Sequence, residues 1–229
     1  MNKKILPPAS HNVDKHVVPI ADLVESLFDS PKIIGLCGDV SQAKSSLNYS
    51  LIDILINKYG FNRTNLYTYA MPIFVGEQKI YSVEELELIT NSIIFLDEFY
   101  LFLNMDDRKR VKQLGEMMQR IKHSNNVLIL CGLAHNFNKF ISSQCEIKIY
   151  KQVTLKNLIN GSPMKDIITA YNGKEKASTV LALPKDRALI HGLSGEGTDL
   201  KHYTIASIPY LPQYDVKLEL PPILPKPIK

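Results

Sequence analysis

The stretch GDVSQAKSS, residues 38–46, constrains the fold of this chain more than any other. It follows KIIGLC (32–37), a continuous apolar run of the kind found in a strand buried on both faces of a sheet. It leads into residues 44–58, where Leu47, Leu51, Ile54 and Leu55 recur on one helical face and Gly60 marks a stop. Strand, short loop and helix thus follow one another directly.

The alternation continues along the chain. NLYTYAM (65–71), SIIFLD (92–97) and NVLILC (126–131) read as further strands, and EIKIY (146–150) as a fifth, nearer an edge. Between them, Ser82 and Glu85 have the S-x-x-E spacing of a capping box that opens a short helix. Residues 106–123, DDRKRVKQLGEMMQRIKH, form the clearest helix. Val111, Leu114, Met118 and Ile121 make its apolar stripe, with acids at its start and bases at its end as the helix dipole favours. Strands alternating with helices predict an α/β fold with a mainly parallel central sheet flanked by helices.

The ends are less regular. Residues 1–19 read as a loose polar arm and IADLVESLF (20–28) as an amphipathic helix. Ser162 and Pro163 read as the start of a helix over PMKDIITAY, while RALIHG and HYTIASI suit a hairpin around GLSGEGTD. The last 22 residues hold six prolines, which excludes a regular helix or central strand and predicts an extended arm. The chain therefore divides into an arm and short helix (1–31), a main domain (32–207) and a Pro-rich tail (208–229).

With 45% hydrophobic residues the chain can build a real core. No apolar run approaches the ~18 residues of a membrane span, and no apolar stretch follows the N-terminal lysines as in a secretory signal. The expected location is a cytoplasm or a viral particle, without membrane insertion. Cys37, Cys131 and Cys145 make no even disulfide set and read as buried thiols; the six histidines show no metal-ligand spacing. A formal charge of +4 permits an anionic partner without requiring one.

The chemistry lies in two stretches. Phosphates bind where backbone N–H groups converge at a helix N-terminus, with a cation for the β and γ phosphates and a hydroxyl for Mg²⁺. Residues 38–46 approach the pattern GxxxxGK[ST]. Gly38 would permit a tight turn off the strand, Lys44 supplies the cation, Ser45 a metal ligand, and Ser46 a second hydroxyl. Asp39, Val40, Ser41 and Gln42 complete the candidate loop. Ala43 stands where the pattern has its second glycine; a helical or near-helical backbone is expected there, at which alanine costs little. A strand–turn–helix with one buried or solvated lysine is the plain alternative. In SIIFLDEF, Asp97 and Glu98 end an apolar strand about 50 residues further on, at the strand end where α/β sheets bind ligands. Asp97 can hold Mg²⁺ through water, and Glu98 can act as general base; two solvated acids are the alternative.

Together these stretches resemble the Walker A and Walker B motifs of P-loop NTPases. The Asp97–Glu98 pair resembles that of the additional-strand, glutamate-bearing branch, which includes RecA-like and AAA+ ATPases. LDEFYLFLNMDDRKRVKQLGEMMQRIKHSNNVLILCG looks like the FtsK–HerA group within it. The likeness covers roughly residues 32–150 and implies a RecA-like core that binds ATP and Mg²⁺ through Lys44, Ser45, Asp97 and Glu98. Arg120 falls where the group has an arginine before the fourth strand, implying a finger that reaches a neighbour's nucleotide; Arg108 and Arg110 are rivals, and a solvated base is the alternative. The group's polar sensor, commonly glutamine, is missing from CGLAHN, leaving His135 or Asn136 as substitutes. Lys109, Lys112 and Lys122 with Arg108 and Arg110 form a basic face that could grip double-stranded DNA, or simply be solvated. The group implies a homo-oligomeric ring, hexamer or pentamer. The small viral genome-packaging members further imply a capsid or portal-vertex partner. Rival readings are an AAA+ or helicase-loader-type ATPase acting on single strands or protein, and a nucleotide-binding assembly protein without turnover.

Overall fold

The computed structural model describes residues 17–39, 42–61, 63–71, 78–103, 108–137, 139–153, 183–193 and 203–209. The predicted helix after Ser162, the Pro-rich tail from residue 210, and residues 1–16 lie outside them.

Nine strands form one sheet: β1 (Val17–Pro19), β2 (Lys32–Gly38), β3 (Leu66–Tyr69), β4 (Gln78–Lys79), β5 (Ile93–Leu96), β6 (Val127–Leu133), β7 (Ile147–Tyr150), β8 (Arg187–His191) and β9 (Tyr203–Ser207). Their order is β1-β9-β8-β7-β2-β6-β5-β3-β4. From β7 through β4 all neighbours are parallel, whereas β8 is antiparallel to both β7 and β9. The chain therefore has the α/β class expected from its alternation.

β2 and β6 pair over seven residues and are buried almost throughout, which is why both read as unbroken apolar runs. β6 lies between β2 and β5, so the strand carrying Asp97 is not adjacent to the strand carrying the loop. Two layers of side chains cover the sheet. One contains Phe95, Ile129, Leu36 and Leu51; the other contains Leu96, Leu130, Met118 and Ile121.

Six α-helices lie among the described residues, besides two short 3-10 turns: α1 (Ile20–Phe28), α2 (Lys44–Asn57), α3 (Val83–Leu88), α4 (Phe99–Leu103), α5 (Arg108–His123) and α6 (Lys139–Gln144). Ser82 caps α3 as its spacing predicts, accepting from the Glu85 N–H at 3.2 Å. Of the α5 stripe, Met118 and Ile121 are fully buried. The β8–β9 pair is the antiparallel partnership expected of RALIHG and HYTIASI.

Two local expectations change. Val17–Pro19, assigned by composition to a loose arm, is a strand pairing in parallel with β9, and Ile20, Val24 and Leu27 of α1 are buried in the core. β7 is not near an edge: it pairs with β2 on one side and β8 on the other. Its alternation of charged and apolar residues mimics an edge strand, but Ile147, Ile149 and Tyr150 are buried.

Candidate active site

The loop leaves β2 at Gly38. This glycine is not in the left-handed region; what it supplies is space. A Cβ there would lie 2.7 Å from Lys151 Cβ, far inside contact distance. The tight-turn role expected from sequence is thus replaced by close packing against the chain leaving β7. Two backbone bonds make that approach, from Lys151 N–H to Cys37 O at 2.8 Å and from Asp39 N–H to Gln152 O at 3.0 Å.

Ala43 precedes α2 with φ 56° and ψ 37°. This is left-handed backbone, not the near-helical conformation expected, and it costs an L-residue about 1–2 kcal/mol. The conformation swings the chain so that the next residue begins α2 at once, and Leu47 N–H closes the first helical bond onto Ala43 O at 3.2 Å. Lys44 is buried, and its Nζ donates across the loop to Asp39 O at 2.8 Å. Gln42 Oε1 is buried without a hydrogen-bond partner. Val40 and Ser41 lie outside the described residues.

Ser45 and Asp97 meet across the sheet. Ser45 Oγ donates to Asp97 Oδ2 at 2.6 Å, although the residues are 52 positions apart. Asp97 is nearly fully buried, and its Oδ1 accepts the Glu98 N–H at 3.1 Å. Burial first, then the charge of the neighbouring Asp97, raises the Cys131 thiol on β6 well above the ordinary thiol range. Cys131 is therefore an inert buried thiol, as expected.

Hard cations take oxygen ligands, and Mg²⁺ is held by one or two carboxylates together with substrate phosphates. A hydroxyl and a carboxylate meeting at the helix N-terminus beside Lys44 fit that donor set. No group of three or more His, Cys, Asp or Glu among the described residues could hold an ion by itself.

Glu98 also has positive φ, 49°. Phe99 behind it is fully buried, 2.9 Å from where a Cβ on Gly132 would stand and edge-on to Phe137 at 4.9 Å. That anchor fixes the turn which presents Glu98. Its Oε2 is buried with no partner. Burial, and then the neighbouring Glu98 carboxylate, raise the Tyr100 phenol above its ordinary range.

At the end of β6, Leu133 pairs with Gly38, so the turn Ala134–Asn136 emerges beside the loop. His135 on this turn is exposed, whereas Asn136 is half-buried and its Nδ2 is a buried donor with no partner. Arg120 is not brought to this site. It lies in the last turn of α5, which leads to the opening end of β6, and its Nη2 donates to Glu87 Oε1 at 2.5 Å. Within the basic face, Lys122 pairs with Glu146 at 2.9 Å. The side chains of Arg108, Lys109, Arg110 and Lys112 lie outside the description.

Two residues near the site escape the sequence reading. Tyr100 is visible only as part of an aromatic turn. Lys151 follows a strand and belongs to no motif, yet it is fully buried.

No protein-family model matches the chain, and no curated protein sequence does. Solved structures do. The DNA-packaging ATPase B204 of Sulfolobus Turreted Icosahedral Virus aligns at 12% identity and TM-score 0.54, over 79% of this chain and 99% of its own. The genome packaging NTPase B204 of Sulfolobus turreted icosahedral virus 2, in complex with sulfate, aligns at 15% identity and TM-score 0.56, over 79% and 98%. Its complex with ATP-gammaS aligns at 13% identity and TM-score 0.53, over 76% and 95%. At such identities the likeness establishes a shared α/β fold.

Proposed function

We propose that the chain is an ATPase of the FtsK–HerA group that assembles as a ring and moves double-stranded DNA, packaging a viral genome. One observation carries the enzymatic part: Ser45 donates to Asp97 at 2.6 Å beside the buried Lys44, with the unpartnered carboxylate oxygen of Glu98 next in sequence. This joins the two motifs at the C-terminal ends of parallel strands, where nucleotides bind in open α/β sheets.

Each side chain has a distinct task. Lys44 leaves the Asp39 carbonyl to meet the phosphates, an exchange of one charge-assisted contact for a stronger one. Ser45 and Asp97 hold Mg²⁺, which when bound neutralises charge developing on the phosphates. Glu98 Oε2 accepts a proton from the attacking water. Asn136 Nδ2 is the better-placed sensor, since it is a buried, unused donor while His135 faces outward. Arg120 serves a neighbouring subunit's nucleotide, because in its own chain it pairs with Glu87 near the opening end of β6, away from the strand ends that carry the site.

The packaging role draws on the B204 fold matches, which span nearly the whole of those viral enzymes. A capsid or portal-vertex partner and a location in host cytoplasm or at the packaging vertex belong to this proposal. Among the described residues no helix is long and apolar enough to cross a membrane.

The left-handed Ala43 favours a second reading, nucleotide binding without turnover. Steady-state ATP hydrolysis with and without linear duplex DNA separates the two. Turnover that rises with duplex and disappears in Lys44→Ala and Glu98→Gln supports the motor. ATP binding with no turnover in any assembled state refutes it in favour of the second reading.

A further inference from the structure

The turn that opens β8 is an exposed stretch with buried attachments. Pro184, Lys185 and Asp186 face solvent, yet Leu183 just before them is buried in the layer that also holds Cys37 and Tyr150. The turn closes on itself through Arg187 N–H to Pro184 O at 3.0 Å. It holds the unit of β2, phosphate loop and α2 at two places.

The first is the start of the loop. Lys151, fully buried, donates from Nζ to Lys185 O at 2.5 Å and to Arg187 O at 2.8 Å. An amine has two N–H donors in either protonation state, so these bonds do not depend on its charge. The stem of the same side chain fills the space at Gly38, where a Cβ would stand 2.7 Å from Lys151 Cβ. Lys151 N–H bonds Cys37 O at 2.8 Å, and Gln152 O accepts Asp39 N–H at 3.0 Å. Asp39 O in turn accepts from Lys44 Nζ at 2.8 Å. A run of bonds thus joins the exposed turn to the lysine of the loop. The second place is α2. Asp186 O accepts Ile208 N–H at 2.9 Å where the chain leaves β9. The next carbonyl, of Pro209, lies 3.4 Å from the hydroxyl of Ser50, which is fully buried on α2 and donates to Ser46 O at 2.9 Å.

We propose that the turn over residues 184–187 is a brace for the phosphate loop, and that Lys151 is the positioning residue that joins the two. This rests on the nucleotide-binding reading of the loop. Backbone N–H groups bind phosphate well only where the curvature of the chain is set beforehand. Gly38 has no side chain with which to hold itself, so the backbone leaving β2 depends on the neighbour that fills its place. That neighbour is fixed at its far end by the turn. A loop ordered before binding costs less to order during it, so the brace acts on nucleotide affinity.

The test compares two variants of the full chain. Lys151→Met keeps the stem and removes both Nζ bonds. Asn126→Ala removes two bonds of an equally buried side chain at the opposite ends of the strands, where Asn126 accepts from Ser92 N–H at 2.9 Å and donates to Ile89 O at 2.7 Å. Both variants are expected to unfold at lower temperature than wild type. Well below those temperatures, the Kd for ATP-gammaS should rise about five- to thirtyfold in Lys151→Met and stay within about twofold of wild type in Asn126→Ala. Unchanged affinity in Lys151→Met, or equal weakening in both, overturns the inference. Should Lys151→Met fail to fold, hydrogen exchange on the wild type decides. Coupling is reciprocal, so ATP-gammaS slows exchange of the Arg187 and Ile208 N–H groups, which the brace holds. Slowing at Asp39 with no change at Arg187 and Ile208 overturns it. If wild type binds no ATP-gammaS at all, the nucleotide-site reading falls together with the brace; if wild type and Lys151→Met bind equally well, the brace alone falls.

Discussion

Ala43→Gly is a test of the loop geometry in which the sign alone decides. Ala43 has φ 56° and ψ 37°, a conformation that costs an L-residue about 1–2 kcal/mol and glycine nothing. Glycine loses more freedom on folding, by about 0.5–1 kcal/mol. The difference leaves Ala43→Gly more stable by about 0.5–1 kcal/mol, a Tm gain of roughly 1–4 °C for a chain of this size. A helical Ala43 predicts the reverse, a loss of about 1 kcal/mol. Ala43→Val should fall below wild type, because β-branching aggravates left-handed backbone. Thermal and denaturant unfolding, without nucleotide, measure all three. A lower Tm for the glycine variant, or a valine variant equal to wild type, refutes the left-handed loop and the strain assigned to it.

Other outcomes follow from named contacts. Gly38→Ala puts a methyl 2.7 Å from Lys151 Cβ and should cost about 1–3 kcal/mol in unfolding experiments while weakening nucleotide binding. Asn136→Ala should leave ATP binding intact and lower turnover roughly 10²-fold, read as a fall in kcat at steady KM. Arg120→Ala should change stability by less than about 1 kcal/mol, since its ion pair is exposed, yet abolish turnover. Mixing it with Glu98→Gln subunits should restore activity, because intact arginines then meet intact glutamates across subunit boundaries. The stability of wild type relative to Lys151→Met should rise between pH 8 and pH 10.5: the folded lysine has released its proton there while the unfolded one keeps it, a gain of up to about 3 kcal/mol.

Much of the fold was legible because its central strands are buried on both faces. KIIGLC, SIIFLD and NVLILC announce themselves as apolar runs, and Leu47, Leu51 and Leu55 mark the helix between. Strand β1 was not legible, since Val17–Pro19 is three residues long and owes its conformation to β9 nearly 190 positions away. β7 looks like an edge because Glu146 and Lys148 alternate with its apolar residues, and only the distant β8 covers its far side. The same division holds at the site. Lys44, Ser45, Asp97 and Glu98 lie in local motifs. Lys151 owes its role to Gly38 on one side and a turn 34 positions onward on the other, and no local pattern encodes such an encounter.

The two strained backbones at the site have different remedies, and the difference bears on what each residue does. Ala43 and Glu98 both take positive φ, and both are held there by following helical bonds, Leu47 N–H to Ala43 O and Leu101 N–H to Glu98 O. Strain of this kind persists only where the surroundings over-determine it. At Ala43 glycine relieves it without loss, because the methyl contributes no chemistry; the strain there belongs to the fold of the loop. At Glu98 the relief would delete the carboxylate whose Oε2 is buried and unpartnered. A carboxyl side chain held in a conformation suited to glycine, with an unused acceptor atom beside Asp97, is what the proposed reaction with water requires. Glycine at Ala43 is therefore expected to raise stability, whereas at Glu98, on the proposed reading, the same relief of strain would remove the proton acceptor and abolish turnover.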